Sequence, residues 1–455
     1  MNSDPVKTKT MVTVMLLLFG SGVTLVLVNS VQSVYAYQST GMAIDYGNRN
    51  VEWTDVDFNV ESDPISILEN ICIEEVYTLI IEENTVTEIN GISNDDNRFW
   101  NLWVIKNGEL DWVKLTDTKI NASEYTVTAW AYCSDEEVPT VGVDQFGRCI
   151  HGYPQAQKTV TLSPSITEIL GALNATSTIV GTDKYSNYPN SVANGKADGS
   201  IVEVGDFLSP SFELIMKSNP DLVLCDGSQY AHYELAERIR STTTVNAVVL
   251  YSGESIDTII DNIYIVGLVM GYDIRAEDVI YQLKYAEMEI LNMVGENETY
   301  SKSTVFALSP SKAPWVAGSA TYVDDIIVTS LSENVYSSSY GWIQSNSELI
   351  AKSNPEIAII ISDEYYATES DYGTMLDNLS AEWKQTDAYK NNQIYLFGEE
   401  LAEMAQIPGP RYAQLMEIIV LVLYHEIIHP DEIFPNYIGD NYRDFLTITE
   451  YLGFE

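Results

Sequence analysis

Two segments recur, in the same order, in the second half of this 455-residue chain. Thr159-Val160 leads into Leu162-Ser-Pro-Ser165, and Glu213-Leu-Ile-Met-Lys-Ser-Asn-Pro-Asp221 follows, then apolar Leu222-Val-Leu-Cys225. Thr304-Val305 leads into Leu308-Ser-Pro-Ser311, and Glu348-Leu-Ile-Ala-Lys-Ser-Asn-Pro-Glu356 follows, then Ile357–Ile361. A repeat of ordered segments restricts the fold to two similar units in one chain. Each unit opens on a short β-branched strand that Ser-Pro-Ser ends, because proline lacks the ladder N–H. In the first copy Ser165 is the expected N-cap of a helix over Ile166–Ala172. Glu213–Lys217 is expected to be a short helix with Leu214 and Ile215 turned inward, stopped by Asn219-Pro220. The apolar run after it suits a buried parallel strand. Two α/β, Rossmann-like lobes follow, over 157–254 and 301–455.

Between them, Ile256, Ile260, Ile263, Val266 and Met270 recur at helical spacing until Gly271, and Val279, Leu283, Ala286 and Ile290 resume it. This stretch, 255–295, predicts a long interlobe helix. Two lobes so joined make a clamshell, and a cleft between domains suits capture of a small molecule. The charge balance agrees. With 66 Asp+Glu against 23 Lys+Arg, the formal charge of −43 excludes a general nucleic-acid binder. It also disfavours adhesion to anionic membranes through basic patches.

Lys7 and Lys9 precede an apolar run, Met11–Val28, and Val34-Tyr35-Ala36 suits a signal peptidase. Residues 1–36 therefore read as a signal peptide or an N-terminal membrane anchor, and the chain as exported, held at the cell surface or secreted. Ile418–Tyr424 is too short to span a bilayer and suits a buried helix. Four cysteines permit two disulfides in an exported chain, and Cys72 with Cys133 is the favoured pair. Asn121, Asn174, Asn297 and Asn378 open glycosylation triplets.

Residues 37–150 hold five of the eight Trp, Trp53, Trp100, Trp103, Trp112 and Trp130. Pro64–Cys72 reads as a helix with Asp63 as N-cap. Tyr77–Glu82, Trp100–Lys106, Trp112–Leu115 and Tyr125–Tyr132 read as strands, and Asn107-Gly108 as a hairpin turn. A small α+β domain is expected, joined through a linker over 145–157.

His425-Glu-Ile-Ile-His429 satisfies the zinc-protease pattern H-E-x-x-H. Pro430 follows at once and places His429 at a helix end, and no spacing selects a third ligand among Asp431, Glu432 and Glu450. A surface zinc metalloprotease is thus the reading from a different class, and a surface adhesion protein is a third. His232, after Asp226-Gly227, is expected on a solvated loop. Ser93–Asn97 lacks calcium-loop spacing and reads as a turn. No nucleophile elbow or phosphate loop occurs, so no enzyme and no metal or cofactor of its own is expected.

The duplicated segments resemble the substrate-binding proteins of ABC importers for cobalamin, haem and ferric siderophores, the class with a rigid interlobe helix. The resemblance covers about 157–425, and cobalamin-binding members fit best. It rests on Thr159–Glu168, Val180–Pro189, Val204-Gly-Asp-Phe207, Glu213–Leu224, Trp342–Glu348 and Gly409-Pro-Arg411. It implies that Glu213 and Glu348, one per lobe, dock onto arginines of the permease. It also implies that Tyr185, Tyr188, Phe207, Trp315 and Trp342, with Asp226 and Arg411 as further candidates, hold a corrinoid as transported ligand. The family often has Trp where Phe207 stands. Haem or a ferric siderophore is the alternative cargo. Phe99–Gly108 and Ala129–Cys133 resemble a transcobalamin-like domain, which implies the same ligand. A monomer that delivers to a cationic permease is the expected partner arrangement.

Overall fold

The computed structural model describes residues 41–47, 51–56, 63–106, 112–116, 125–134, 137, 139, 141–143, 149–151, 156–295, 302–362, 365–366, 368–450 and 452. The expected export segment, the Asn107-Gly108 turn and the Asn121 and Asn297 triplets lie outside them. Asn174 and Asn378 are exposed.

The N-terminal part contains β1 (Gly41–Asp45), β2 (Val51–Asp55), α1 (Pro64–Glu74), β3 (Leu79–Glu82), β4 (Thr85–Ile89), β5 (Ile92–Ser93), β6 (Phe99–Lys106), β7 (Val113–Leu115), β8 (Tyr125–Cys133), β9 (Val141–Val143) and β10 (Cys149–His151). The main sheet runs β2-β1-β8-β6-β7; β3-β4-β5 and β9-β10 are separate. Strand β10 therefore falls within the stretch expected as a linker. Asp63 accepts from the N–H groups of Ile65 and Ser66 and starts α1, with Pro64 in its first turn. Side chains alternate across β8. Trp130 faces α1, Ile67, Leu68 and Cys72, whereas Ala129, Ala131 and Cys133 face Trp103 on the other side. That alternation overturns the expected Cys72–Cys133 disulfide: the two buried thiols are free and lie on opposite faces of the sheet. Burial pushes both thiols up, Cys72 to about 11.

The first lobe follows with β11 (Thr159–Thr161), α2 (Pro164–Ala172), β12 (Ile179–Thr182), α3 (Asn190–Asp198), β13 (Val202–Glu203), β14 (Gly205–Asp206), β15 (Ser209–Pro210), α4 (Phe212–Lys217), β16 (Leu222–Asp226), α5 (Tyr230–Thr242) and β17 (Asn246–Leu250). Its sheet, β13-β12-β11-β16-β17, is parallel throughout, as the repeat predicts for β11 and β16. Helix α2 begins earlier than expected. Ser163, not Ser165, is the N-cap, and Pro164 takes the first turn, where its missing N–H costs nothing. In α4 Ile215 is buried, but Leu214 is exposed, contrary to expectation.

Helices α6 (Ile256–Met270) and α7 (Asp273–Val294) connect the lobes. The break falls at Gly271, whose φ of +78° favours glycine. The second lobe contains β18 (Ser303–Ala307), β19 (Trp315–Ala317), α8 (Tyr322–Thr329), β20 (Glu333–Asn334), β21 (Trp342–Gln344), α9 (Ser347–Ser353), β22 (Ile357–Ile361), α10 (Tyr372–Asn378), α11 (Asp387–Lys390), β23 (Ile394–Phe397), α12 (Glu399–Met404), α13 (Tyr412–Ile428) and β24 (Tyr437–Ile438). Its sheet runs β21-β19-β18-β22-β23-β24, with β20 also on β18. Strands β18, β22, β23 and β24 are parallel, and β19 and β21 are antiparallel.

Each lobe sheet is buried on both faces, which explains its continuous apolar strands. One face of the first sheet (Leu222, Leu224, Val248) and one of the second (Ile357, Ile359, Phe397) share a single core with α6, α7 and α13. The opposite faces form separate cores. A core continuous through the connection holds both lobes on one support. Residues 412–424 of α13 are buried throughout, as expected of Ile418–Tyr424. Buried Glu417 is satisfied by the N–H groups of Thr447, Ile448 and Thr449 and by two Thr hydroxyls, which pins the C-terminal segment to α13. Among the described residues no helix is long and apolar enough to cross a membrane.

Candidate ligand cleft

The N-terminal turns of α2 set the first-lobe wall. Capping by Ser163 turns Thr167 and Glu168 into the interior, where both are buried. The Thr167 hydroxyl lies 2.7 Å from that of Thr161, 3.1 Å from that of Thr182 and 2.9 Å from that of Ser186. This chain of hydroxyls fastens the loop after β12 beneath α2. The loop carries Tyr185, whose hydroxyl donates to Asp206 at 2.9 Å, and Tyr188. Asp183, at the loop's start, accepts from the Tyr185 N–H and from the Ser186 hydroxyl. Burial pushes its carboxyl up to about 6, against those hydrogen bonds and nearby Lys196.

The second lobe supplies Arg411, which precedes α13 at the end of Gly409-Pro-Arg411. Its Nη2 meets Glu168 Oε1 at 2.5 Å, and both side chains are 2% exposed. Its Nη1 meets Glu400 of α12 at 3.0 Å, and Glu400 also binds Arg443 at 2.7 Å. The Tyr188 ring lies 3.9 Å from the guanidinium carbon, a cation–π contact. Arg411 thus ties the first lobe's Glu168 and Tyr188 to the second lobe's Glu400. Burial pushes Glu168 up, although the charge and hydrogen bond of Arg411 pull it down. On Arg411 burial works downward and Glu168 overrides it, so the guanidinium stays charged. A Cβ at Gly409 would come 2.7 Å from Glu168 Oε2, so the absence of a side chain there makes room for the carboxylate.

These groups line a cavity of about 180 Å³ between the lobes. Tyr185, Tyr188 and Arg411 are in its wall, joined by Glu168, Glu400, Glu403 and Arg443. Phe207, Asp226, Trp315 and Trp342 are not. Phe207 is 1% exposed and stands edge-on to His232 inside the first lobe, so it packs rather than faces a ligand. Asp226 accepts from the Ser228 N–H and hydroxyl and closes a turn. Trp315 and Trp342 are half-buried on neighbouring strands, against the shared core. Sequence reasoning missed Glu168, Glu400, Glu403 and Arg443. A usable signal existed for Arg443, because cations are scarce in this chain, with 23 Lys+Arg against 66 Asp+Glu.

His232 is fully buried, not on a solvated loop. Its Nδ1 accepts from the Asp226 N–H at 2.9 Å, which leaves Nε2–H to donate to the Phe207 carbonyl at 2.7 Å. Burial lowers its basicity and keeps it neutral. His425 and His429 have ring centroids 5.9 Å apart, and His429 lies past the last residue of α13. His425 Nε2 meets the Glu432 backbone carbonyl at 2.6 Å. Among the described residues no group of three or more His, Cys, Asp or Glu is placed to hold a metal ion. Glu213 and Glu348 both project from the first turns of short helices, α4 and α9, capped by Ser211 and Asn346. Both are exposed; Glu213 is 3.5 Å from Arg238.

A family model described as periplasmic binding protein matches residues 159–401. The chain belongs to the periplasmic binding protein family. Over 282 residues it is 24% identical to the ABC transporter substrate-binding lipoprotein YvrC of Bacillus subtilis, covering 61% of this chain and 81% of that protein. Two solved structures share the fold. A possible iron-binding (periplasmic solute-binding) protein of Staphylococcus epidermidis superposes with a TM-score of 0.51 at 23% identity, covering 60% of this chain and all of that one. A periplasmic haem-binding protein of Pseudomonas aeruginosa does so with 0.51 at 16%, covering 59% and 93%. The matched region of this periplasmic binding protein begins at β11 and leaves the N-terminal sheets outside it.

Proposed function

We propose that this protein is the extracytoplasmic substrate-binding component of an ABC importer, and that its cargo is a corrinoid such as cobalamin. The importer role is supported by the family and by the name of the Bacillus relative. The ligand class is argued from one observation, the charge of the cleft. Three carboxylates, Glu168, Glu400 and Glu403, line it against two guanidiniums, those of Arg411 and Arg443. Haem propionates and ferric catecholates bring negative charge, which a surplus of carboxylates opposes. A corrinoid presents uncharged amides that both donate and accept, and a wall of mixed carboxylates and guanidiniums matches them. At about 180 Å³ the cavity is smaller than the 300–1,000 Å³ or so of ordinary ligand sites, so it admits an edge of a macrocycle and the lobes part for the rest.

The protein carries its ligand without chemical change. Glu213 and Glu348 meet a cationic permease rim, one from each lobe. The N-terminal domain, through its transcobalamin-like resemblance, contributes to holding the corrinoid. Titration of the purified chain with cyanocobalamin, followed by its visible bands and by calorimetry, tests the ligand. Saturable one-to-one binding is expected. Binding of haemin or a ferric siderophore without any corrinoid signal replaces the cargo, and Arg411 and Arg443 are then the groups that meet its anionic substituents.

A further inference from the structure

The Tyr-bearing loop of the cleft is closed around a single ammonium group. Lys196, on α3, directs its Nζ into the inner curve of residues 183–187. It donates to the carbonyls of Asp183 (3.3 Å), Lys184 (2.6 Å) and Ser186 (3.1 Å) and to Asn187 Oδ1 (3.3 Å). An ammonium has three hydrogens, and four oxygens converge on it. Convergent carbonyl dipoles repel one another unless a cation lies between them. On its far side the same loop is held by the Ser186 hydroxyl, which joins Thr167 and Asp183. Tyr185 and Tyr188 project from this doubly fastened segment into the cavity wall.

We infer that Lys196 is a positioning residue for ligand capture: its ammonium acts as an internal cation that folds residues 183–188 into the shape that presents Tyr185 and Tyr188 to the cleft. It touches no ligand and works through the loop. The role in capture rests on the cleft reading above, whereas the ordering of the loop does not.

The test uses Lys196→Ala in the full chain, with hydrogen exchange as one readout and cyanocobalamin affinity as the other. The variant is expected to lose exchange protection roughly tenfold or more at the Lys184 and Tyr185 amides, with β11, β16 and α7 unchanged. Propylammonium, which restores an ammonium to the vacated space, is expected to recover the protection, and sodium chloride of equal ionic strength is not. Corrinoid affinity is expected to fall about tenfold and to recover with the same cation. Unchanged loop protection overturns the inference. So does a loss spread over the whole first lobe that propylammonium does not restore, which makes Lys196 a general packing residue. If the parent chain binds no corrinoid while the loop still responds to propylammonium, the ligand reading fails and the positioning role stands.

Discussion

The two lobes share a strand, a Ser-Pro-Ser turn and an outward Glu, yet they differ where they face each other. In the first, Ser163 caps α2 and Pro164 opens it, so the turn becomes a helix that carries Glu168 into the cleft. In the second, Pro314 follows Ser309-Pro-Ser311 too closely for a helix to continue, and the chain returns as antiparallel β19. That lobe brings its own charge from elsewhere, through Arg411 ahead of α13. The parallel strands that support each lobe are therefore alike, and the cleft walls differ: the first lobe brings the buried acid Glu168, and the second brings both arginines together with Glu400 and Glu403. Similar scaffolds fix where a cleft lies, and the departures between them decide what it can hold.

The sharpest way to break this comparison is to remove one side of the ion pair. Arg411→Met leaves Glu168 buried without its partner and is expected to cost about 3–5 kcal/mol in denaturant unfolding. The double variant Glu168→Leu with Arg411→Met is expected to cost less than the single one, because no buried charge remains. A loss below about 1 kcal/mol for Arg411→Met would falsify the pairing across the lobes. Phe207→Ala tests whether that ring belongs to the first lobe's core or to the cleft. A stability loss of about 3–5 kcal/mol is expected, as for other buried aromatics. An affinity change at unchanged stability would return Phe207 to the ligand.

Asp183 gives the first lobe a pH signature. Its folded value of about 6 stands above the ordinary 3.8 of the unfolded chain. A carboxyl raised on folding holds its proton more firmly in the folded chain, so its contribution is complete below about 3.8 and is lost as pH rises through about 6. Stability from this group is expected to fall by at most about 1.4 kcal/mol per pH unit across that window. Asp183→Asn should flatten the slope in melts taken between pH 4 and 6. The smallest effect on folding is expected for charge reversal at Glu213 and Glu348, within about 0.5 kcal/mol, since both are exposed. Uptake into cells should nevertheless stop with ligand binding intact, and lost binding would refute a docking role.

Much of the scaffold was legible because its signals are local. Strands β11, β16, β18 and β22, the break at Gly271 and the Asp63 cap each follow from a few neighbouring residues. The cleft was legible only in part. Tyr185, Tyr188 and Arg411 stood out in the family-like segments, but Phe207, which the same pattern offered, went to the core. Nothing local tells an aromatic ring which side of a loop it will take. Glu168 lies 243 residues from Arg411, and no spacing rule reaches across that separation. The Cys72–Cys133 pairing failed for a related reason. Sharing a small domain brings two cysteines near, and strand alternation then put them on opposite faces.

The sequence by itself determined that two like α/β lobes stand on a helical connection and that each bears an exposed glutamate at a matched position, because repeats and periodicities are properties of the chain. Only the tertiary structure decided that Glu168 and Arg411 meet, that His232 is sealed in neutral form, and that Lys196 gathers a loop around its charge. Each of these depends on groups distant in sequence being desolvated together, and burial, not residue type, sets how strongly they then act.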